Sequence, residues 1–134
     1  MPLRVLVVDD FAPFRQFLSS ALQDRSDVEI VSEACDGIEA IERTQEFHPE
    51  LVLLDIGIPK LNGIEAAQRI RVISPDSRIL FISQESSADI VQKALATGAH
   101  GYVVKSDAGR ELLGAVDAVV RGEHFLSSMV LTLN

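Results

Sequence analysis

The chain alternates short apolar runs with longer stretches in which apolar residues recur every three or four positions. Leu3 to Val8 is apolar and β-branched, and it stops at Asp9-Asp10. Pro13 follows where a first helical turn tolerates proline. Phe14, Phe17, Leu18, Ala21 and Leu22 then fall on one helical face. Val28 to Ala34 reads as a second strand, and Asp36-Gly37 as a turn. Ile38, Ala40, Ile41 and Thr44 predict a helix that ends near Phe47-His48-Pro49. Leu51 to Leu54 is a wholly apolar strand ending at Asp55, and Gly57, Pro59, Asn62 and Gly63 mark the loop after it. Ile64, Ala67 and Ile70 or Arg71 carry a helix to about Ser74. Arg78 to Ile82 is a strand ending at Ser83, and Ala88, Val91, Ala94 and Leu95 form a helical stripe stopped by Gly98. Gly101 to Val104 is a strand ending at Lys105. Leu112, Leu113, Val116, Val119 and Val120 form the last stripe, stopped by Gly122.

This is a β-α unit repeated five times. Strands that are apolar without alternation are covered by helices on both faces. The pattern predicts an α/β fold of flavodoxin-like type, a doubly wound (βα)5 unit with a five-stranded parallel sheet in the order 2-1-3-4-5. The 134 residues allow one such domain and a real core. With no Trp and one Tyr, that core must be aliphatic.

In open sheets of this kind, ligands bind beyond the carboxyl ends of the strands. Asp9-Asp10, Asp55, Ser83 and Lys105 all stand at such ends. Strands 1 and 3 are neighbours in this order, so three carboxylates converge and repel one another. Either one stays protonated or a hard cation sits among them, and oxygen donors suit Mg²⁺. Lys105 adds a point charge fit for a phosphate oxygen, and Ser83 a hydroxyl. Such a set can form and stabilise an aspartyl phosphate. Taken singly, each residue has an ordinary structural use. Asp9 or Asp10 could cap the first helix, Ser83 could cap the helix after it, and Lys105 could be a solvated lysine.

At these residues the chain resembles the receiver domain of bacterial two-component response regulators. The resemblance rests on Val7-Val8-Asp9-Asp10, on Asp55 to Gly63 with Pro59 between them, on Ser83, and on Gly98 to Lys105. It covers residues 3 to about 121. It implies that Asp55 takes phosphate from the phosphohistidine of a sensor histidine kinase. It implies that Asp10 and Asp55 ligate Mg²⁺ with the Gly57 backbone carbonyl, and that Asp9 acts through a metal-bound water. Lys105 would meet a phosphoryl oxygen, Ser83 would swing toward the phosphoryl group, and Tyr102 would move inward behind it. The face around the fourth helix, fifth strand and fifth helix would then change shape.

Ser106 stands where many receivers have Pro, as is typical of the subgroup resembling NarL- and FixJ-type regulators. Gly57 and Glu85 occupy positions where such domains vary and where dephosphorylation is tuned. The resemblance divides the chain into a receiver over residues 1–121 and, over 122–134, the start of a linker. That linker would lead to a helix-turn-helix DNA-binding domain not contained in this sequence. It also implies dimerisation on phosphorylation.

Charge and cysteine content narrow the choices. Twenty acidic against twelve basic residues leave a net charge of −8, with no basic face for nucleic acid on this domain. Cys35 is the only cysteine, and its apolar setting predicts a buried, inert thiol. No signal-peptide layout and no run of roughly 20 apolar residues is present, so the expected compartment is the cytoplasm and not a membrane. An aspartyl-phosphate phosphatase on the same fold needs a second carboxylate where Gly57 stands. A flavin site needs hydroxyls and glycine where Asp9-Asp10 stand. The expected protein is therefore a signalling switch rather than a turnover enzyme, with a stand-alone or a degenerate receiver as alternatives. His48, His100 and His124 have no common ligand spacing.

Overall fold

Successive residues of each apolar strand point to opposite faces of one parallel sheet, and this divides the core in two. The computed structural model describes residues 2–128. Its strands are β1 (Leu3–Val8), β2 (Val28–Ala34), β3 (Leu51–Leu54), β4 (Arg78–Ser83), β5 (Gly101–Val104) and β6 (Phe125–Leu126). Between them run α1 (Ala12–Gln23), α2 (Gly37–Phe47), α3 (Gly63–Ile73), α4 (Ala88–Leu95) and α5 (Ala108–Val120). Val5, Val7, Leu51, Leu53, Leu80, Ile82 and Val103 pack against Leu18 and Leu22 of α1 and Leu112, Val116 and Val119 of α5. Leu6, Val8, Val52, Leu54, Ile79, Phe81, Tyr102 and Val104 pack against Ala40 of α2, Ala66, Ala67 and Ile70 of α3, and Val91 and Ala94 of α4. No helix among the described residues is long and apolar enough to cross a membrane.

The sheet order is β2-β1-β3-β4-β5-β6 and every pair is parallel. The first five strands have the expected order, but the sheet has six strands rather than five. Gly122, at φ +86°, ends α5 and turns the chain back along the free edge of β5. Phe125 N–H then donates to the His100 carbonyl at 3.2 Å, and Ser127 N–H to the Tyr102 carbonyl at 2.9 Å. The Ser127 hydroxyl is buried between the carboxylates of Asp107 and Glu111. Packed structure therefore continues past Arg121 to Ser128. Of the linker expected over 122–134, residues 129–134 lie outside the described residues.

Side-chain caps place three helices. Asp36 accepts from Glu39 N–H at 2.7 Å, Asn62 from Glu65 N–H at 3.0 Å, and Ser87 from Ile90 N–H at 3.4 Å. Two expectations about burial fail. Cys35 is exposed rather than buried, because β2 is an edge strand that ends at Ala34 and the next residue enters the α2 turn. Its N–H donates to Glu39 Oε1 at 3.1 Å. Phe17, Leu113 and Val120, read as part of buried stripes, are each about 40% exposed. The stripes of α1 and α5 are narrower than the apolar spacing suggests.

Gly63 fixes how closely α3 approaches the end of β3. Its N–H donates to the Ile56 carbonyl at 2.8 Å. A methyl group added there would lie 2.1 Å from the Asp55 carbonyl oxygen and 2.7 Å from Ile56 Cα. The obstacle is backbone, which cannot swing aside as a side chain can. Gly63→Ala is therefore expected to lower stability by about 1–3 kcal/mol or more. Denaturant unfolding checks this, and a wild-type midpoint would contradict the packing described.

Candidate functional site

The parallel register of β1 and β3 aligns Val8 with Leu54, so the next residue of each strand leaves the sheet side by side. These are Asp9 and Asp55. Asp55 N–H donates to the Val8 carbonyl at 3.1 Å, and Asp9 N–H to the Ala34 carbonyl at 3.1 Å, so both backbones are held up to the carboxylates themselves. Asp9 is 1% exposed and Asp55 6%, while Asp10 beside them is open to solvent. One carboxylate oxygen from each of Asp9, Asp10 and Asp55 lies within 4.8 Å of the others.

Lys105 reaches this cluster from the end of β5. Its Nζ is 2.8 Å from Asp9 Oδ2 and 3.1 Å from Asp55 Oδ2. The bond to Asp55 is a directed hydrogen bond, whereas Asp9 Oδ2 is buried without one and pairs with the ammonium as a charge. Asp9 Oδ1 accepts from Phe11 N–H at 2.8 Å, a local turn bond rather than a helix cap. Burial pushes the Asp9 carboxyl above its ordinary pKa, and the Asp55 charge adds to this, against Lys105 and Phe11 N–H. Burial also works against the Lys105 charge, but Asp9 and Asp55 outweigh it and hold its pKa above the ordinary lysine value.

Three carboxylates face one ammonium, so the cluster carries excess negative charge. The donor set is oxygen only, and Asp9 Oδ2 is a buried oxygen with no directed hydrogen bond. Both features fit a hard divalent cation. Gly57 lines the same cleft of about 440 Å³ as Asp10, Asp55, Ser83 and Lys105. Its N–H points to Asp55 Oδ1 at 3.4 Å, and nothing lies within 4 Å of where a Cβ would stand, so the cleft is open there. Cys35, Asp36 and Glu39 form a second close group, but Asp36 caps α2 and Glu39 holds Cys35 N–H.

Ser83 is buried at the end of β4, and its Oγ accepts from Glu85 N–H at 3.3 Å. It is not the cap of α4, a task that Ser87 performs. Tyr102 is fully buried, and its hydroxyl donates to the Glu85 carbonyl at 2.8 Å. The inward position expected for Tyr102 is already occupied. Burial pushes its pKa from 10.0 up to about 12.

The structure thus brings together all the strand-end residues singled out from sequence. It also adds two that sequence reasoning missed. Arg15 donates to the Asp9 carbonyl at 2.7 Å and pairs with Glu33 at 2.8 Å, so α1 is tied to the end of β1. The Phe14 ring, read only as a packing residue, faces Lys105 across the cleft wall. Neither carries a spacing signal, because both reach the site from the first turn of α1.

The sequence matches the response regulator receiver domain family over residues 5–117. The response regulator protein VraR of Staphylococcus aureus is 33% identical over 131 residues, which cover 98% of this chain and 63% of VraR. The transcriptional regulatory protein DegU of Brevibacillus brevis is 30% identical over 128 residues, covering 96% of this chain and 54% of DegU. The chain thus spans less than two thirds of these curated relatives. A LuxR-family two-component response regulator from an Aurantimonas species superposes with a TM-score of 0.93 at 31% identity, over 98% of this chain and 94% of that one. The NarL receiver domain of Mycobacterium tuberculosis gives 0.86 at 34% identity, over 91% and 98%. The match over residues 5–117, with relatives at 30% identity or more across nearly the whole chain, shows that the chain belongs to the response regulator receiver domain family of two-component signal transduction.

Proposed function

We propose that Asp55 accepts a phosphoryl group from the phosphohistidine of a sensor histidine kinase and that this switches an output face around α4, β5 and α5. The observation that carries the reading is the Asp55 carboxylate, nearly buried at a strand end yet lining an open cleft, with Lys105 bridging it to Asp9. An Asp55 carboxylate oxygen attacks phosphorus, the P–N bond breaks, and the imidazole leaves with the electron pair. Lys105 shifts from the Asp55 oxygen to a phosphoryl oxygen. Asp10, Asp55 and the Gly57 carbonyl would hold Mg²⁺ directly, and Asp9 through a water. When bound, Mg²⁺ neutralises charge on the transferring group.

Ser83 is the movable part of this reading. Turning its hydroxyl to donate to the phosphoryl group gives up the bond from Glu85 N–H. Glu85 also holds the Tyr102 hydroxyl through its carbonyl, so Ser83 and Tyr102 share one residue. Because Tyr102 is already inward, the phosphoryl group would secure that position rather than create it. The chain is a phospho-acceptor and not a turnover enzyme. Its relatives include transcription regulators nearly twice its length, so the output is control of transcription through a DNA-binding domain beyond this sequence. The acidic receiver itself contacts no nucleic acid, dimerises on phosphorylation, and works in the cytoplasm.

Incubation with Mg²⁺ and a small acyl phosphate should add one phosphoryl group by intact mass. Wild type without an adduct, or Asp55→Ala with a full one, would sink the reading. Asp10→Ala should weaken Mg²⁺ binding at least about tenfold, as even loss of a supporting group around a metal does. Ser83→Ala should leave it unchanged, and a titration giving equal affinities for the two variants would remove Asp10 as a ligand. Tyr102 is the sole tyrosine and there is no Trp, so phenolate absorbance reports it alone. Its titration midpoint is expected at about 12, and one near 10.0 would mean that the ring lies outward.

A further inference from the structure

Lys105 has a third neighbour besides the two carboxylates. Phe14, half-buried in the first turn of α1, places its ring centroid 4.6 Å from Lys105 Nζ. One side of the ring packs toward the core shared by α1 and α5, and the Phe17 ring lies 5.5 Å away. We propose that Phe14 is a positioning residue for phosphoryl transfer, its ring face holding the Lys105 ammonium at the mouth of the cleft. This rests on the reading of Asp55 as the acceptor.

Lys105 loses one of its two carboxylate partners as Asp55 reacts. Asp9 is the closer and more buried of its two carboxylate partners. When an Asp55 oxygen becomes bonded to phosphorus, its charge no longer draws the ammonium. A flexible four-carbon stem would then follow Asp9 inward, away from the incoming phosphoryl oxygens. A ring face opposes that drift. It attracts the cation through the aromatic quadrupole and occupies none of the three N–H donors in a fixed direction. One N–H is therefore free to turn to a phosphoryl oxygen while the charge stays in place. A polar side chain at residue 14 would compete for that N–H, and an aliphatic one would fill the space without attracting the charge.

The test compares wild type with Phe14→Leu and Phe14→Met, which fill the site without a ring face, and Phe14→Tyr, which keeps the face. With Mg²⁺ and a small acyl phosphate, the initial rate of adduct formation should fall about two- to fivefold in F14L and F14M, as loss of an exposed cation–π contact implies. F14Y should match wild type, and Mg²⁺ affinity and thermal midpoint should be unchanged throughout. A second readout needs no phosphorylation. The Lys105 Cε protons should be shifted upfield by the ring in wild type and F14Y, and not in F14L or F14M. Wild-type rates in both aliphatic variants, or F14Y as slow as they are, would overturn the role of the ring. If wild type itself forms no adduct, the acceptor reading falls. The Lys105 proton shifts then still decide whether the ring holds the ammonium, and their absence overturns that as well.

Discussion

Repulsion between Asp9 and Asp55 is the constraint around which the site is organised. Adjacent parallel strands in register leave the sheet together, so the two acids cannot be separated without changing the fold. Within 4.8 Å and at an effective dielectric near 20, two full charges repel by at least about 3.5 kcal/mol. Lys105 lies 2.8 Å and 3.1 Å from them, so one ammonium attracts both at once. It wins only while it stays between them. Asp10 adds a third carboxylate that Lys105 does not touch. The cluster is thus held together but still carries excess negative charge, the state in which a hard cation binds most readily.

Much of the surrounding structure keeps this arrangement from relaxing. Phe11 N–H and Arg15 hold Asp9 from the start of α1, one on its carboxylate and one on its carbonyl. Gly63 lets α3 close against the Asp55 backbone. Gly57 does the opposite and leaves the cleft open above Asp55. An acid that is fixed from behind and faces an open cleft, as Asp55 does, suits attack on a group arriving from outside.

Most of this was legible from sequence because each strand is short, apolar and bounded by a residue with chemical work to do. Leu51 to Leu54 can only be a buried strand, and Asp55 marks its end. Order among the first five strands followed from the β-α alternation. The sixth strand was not legible. Phe125–Leu126 is too short for any periodicity, and after Gly122 the segment reads equally well as linker. Cys35 and Phe17 show another limit, since apolar spacing gives the direction of a face but not its width or where an edge strand stops. Phe14 was invisible for a further reason. Its position satisfies the helical stripe, and only the path of α1 across the end of β1 brings its ring to Lys105.

β5 joins the two halves of the picture. Its end carries Lys105, its middle carries Tyr102, and its free edge carries β6. The Tyr102 carbonyl accepts from Ser127 N–H, while Asp107, two residues past Lys105, meets the Ser127 hydroxyl. Tyr102 itself is tied through Glu85 to Ser83. A short series of hydrogen bonds therefore runs from Ser83, on the wall of the cleft, through Glu85 and Tyr102 to Ser127. On the proposed reading, a turn of Ser83 reaches β5 through Glu85 and Tyr102, to be absorbed there or passed to the segment paired with it. The tight packing of Tyr102, Val103 and Val104, all 3% exposed or less, leaves β5 little room to absorb it alone.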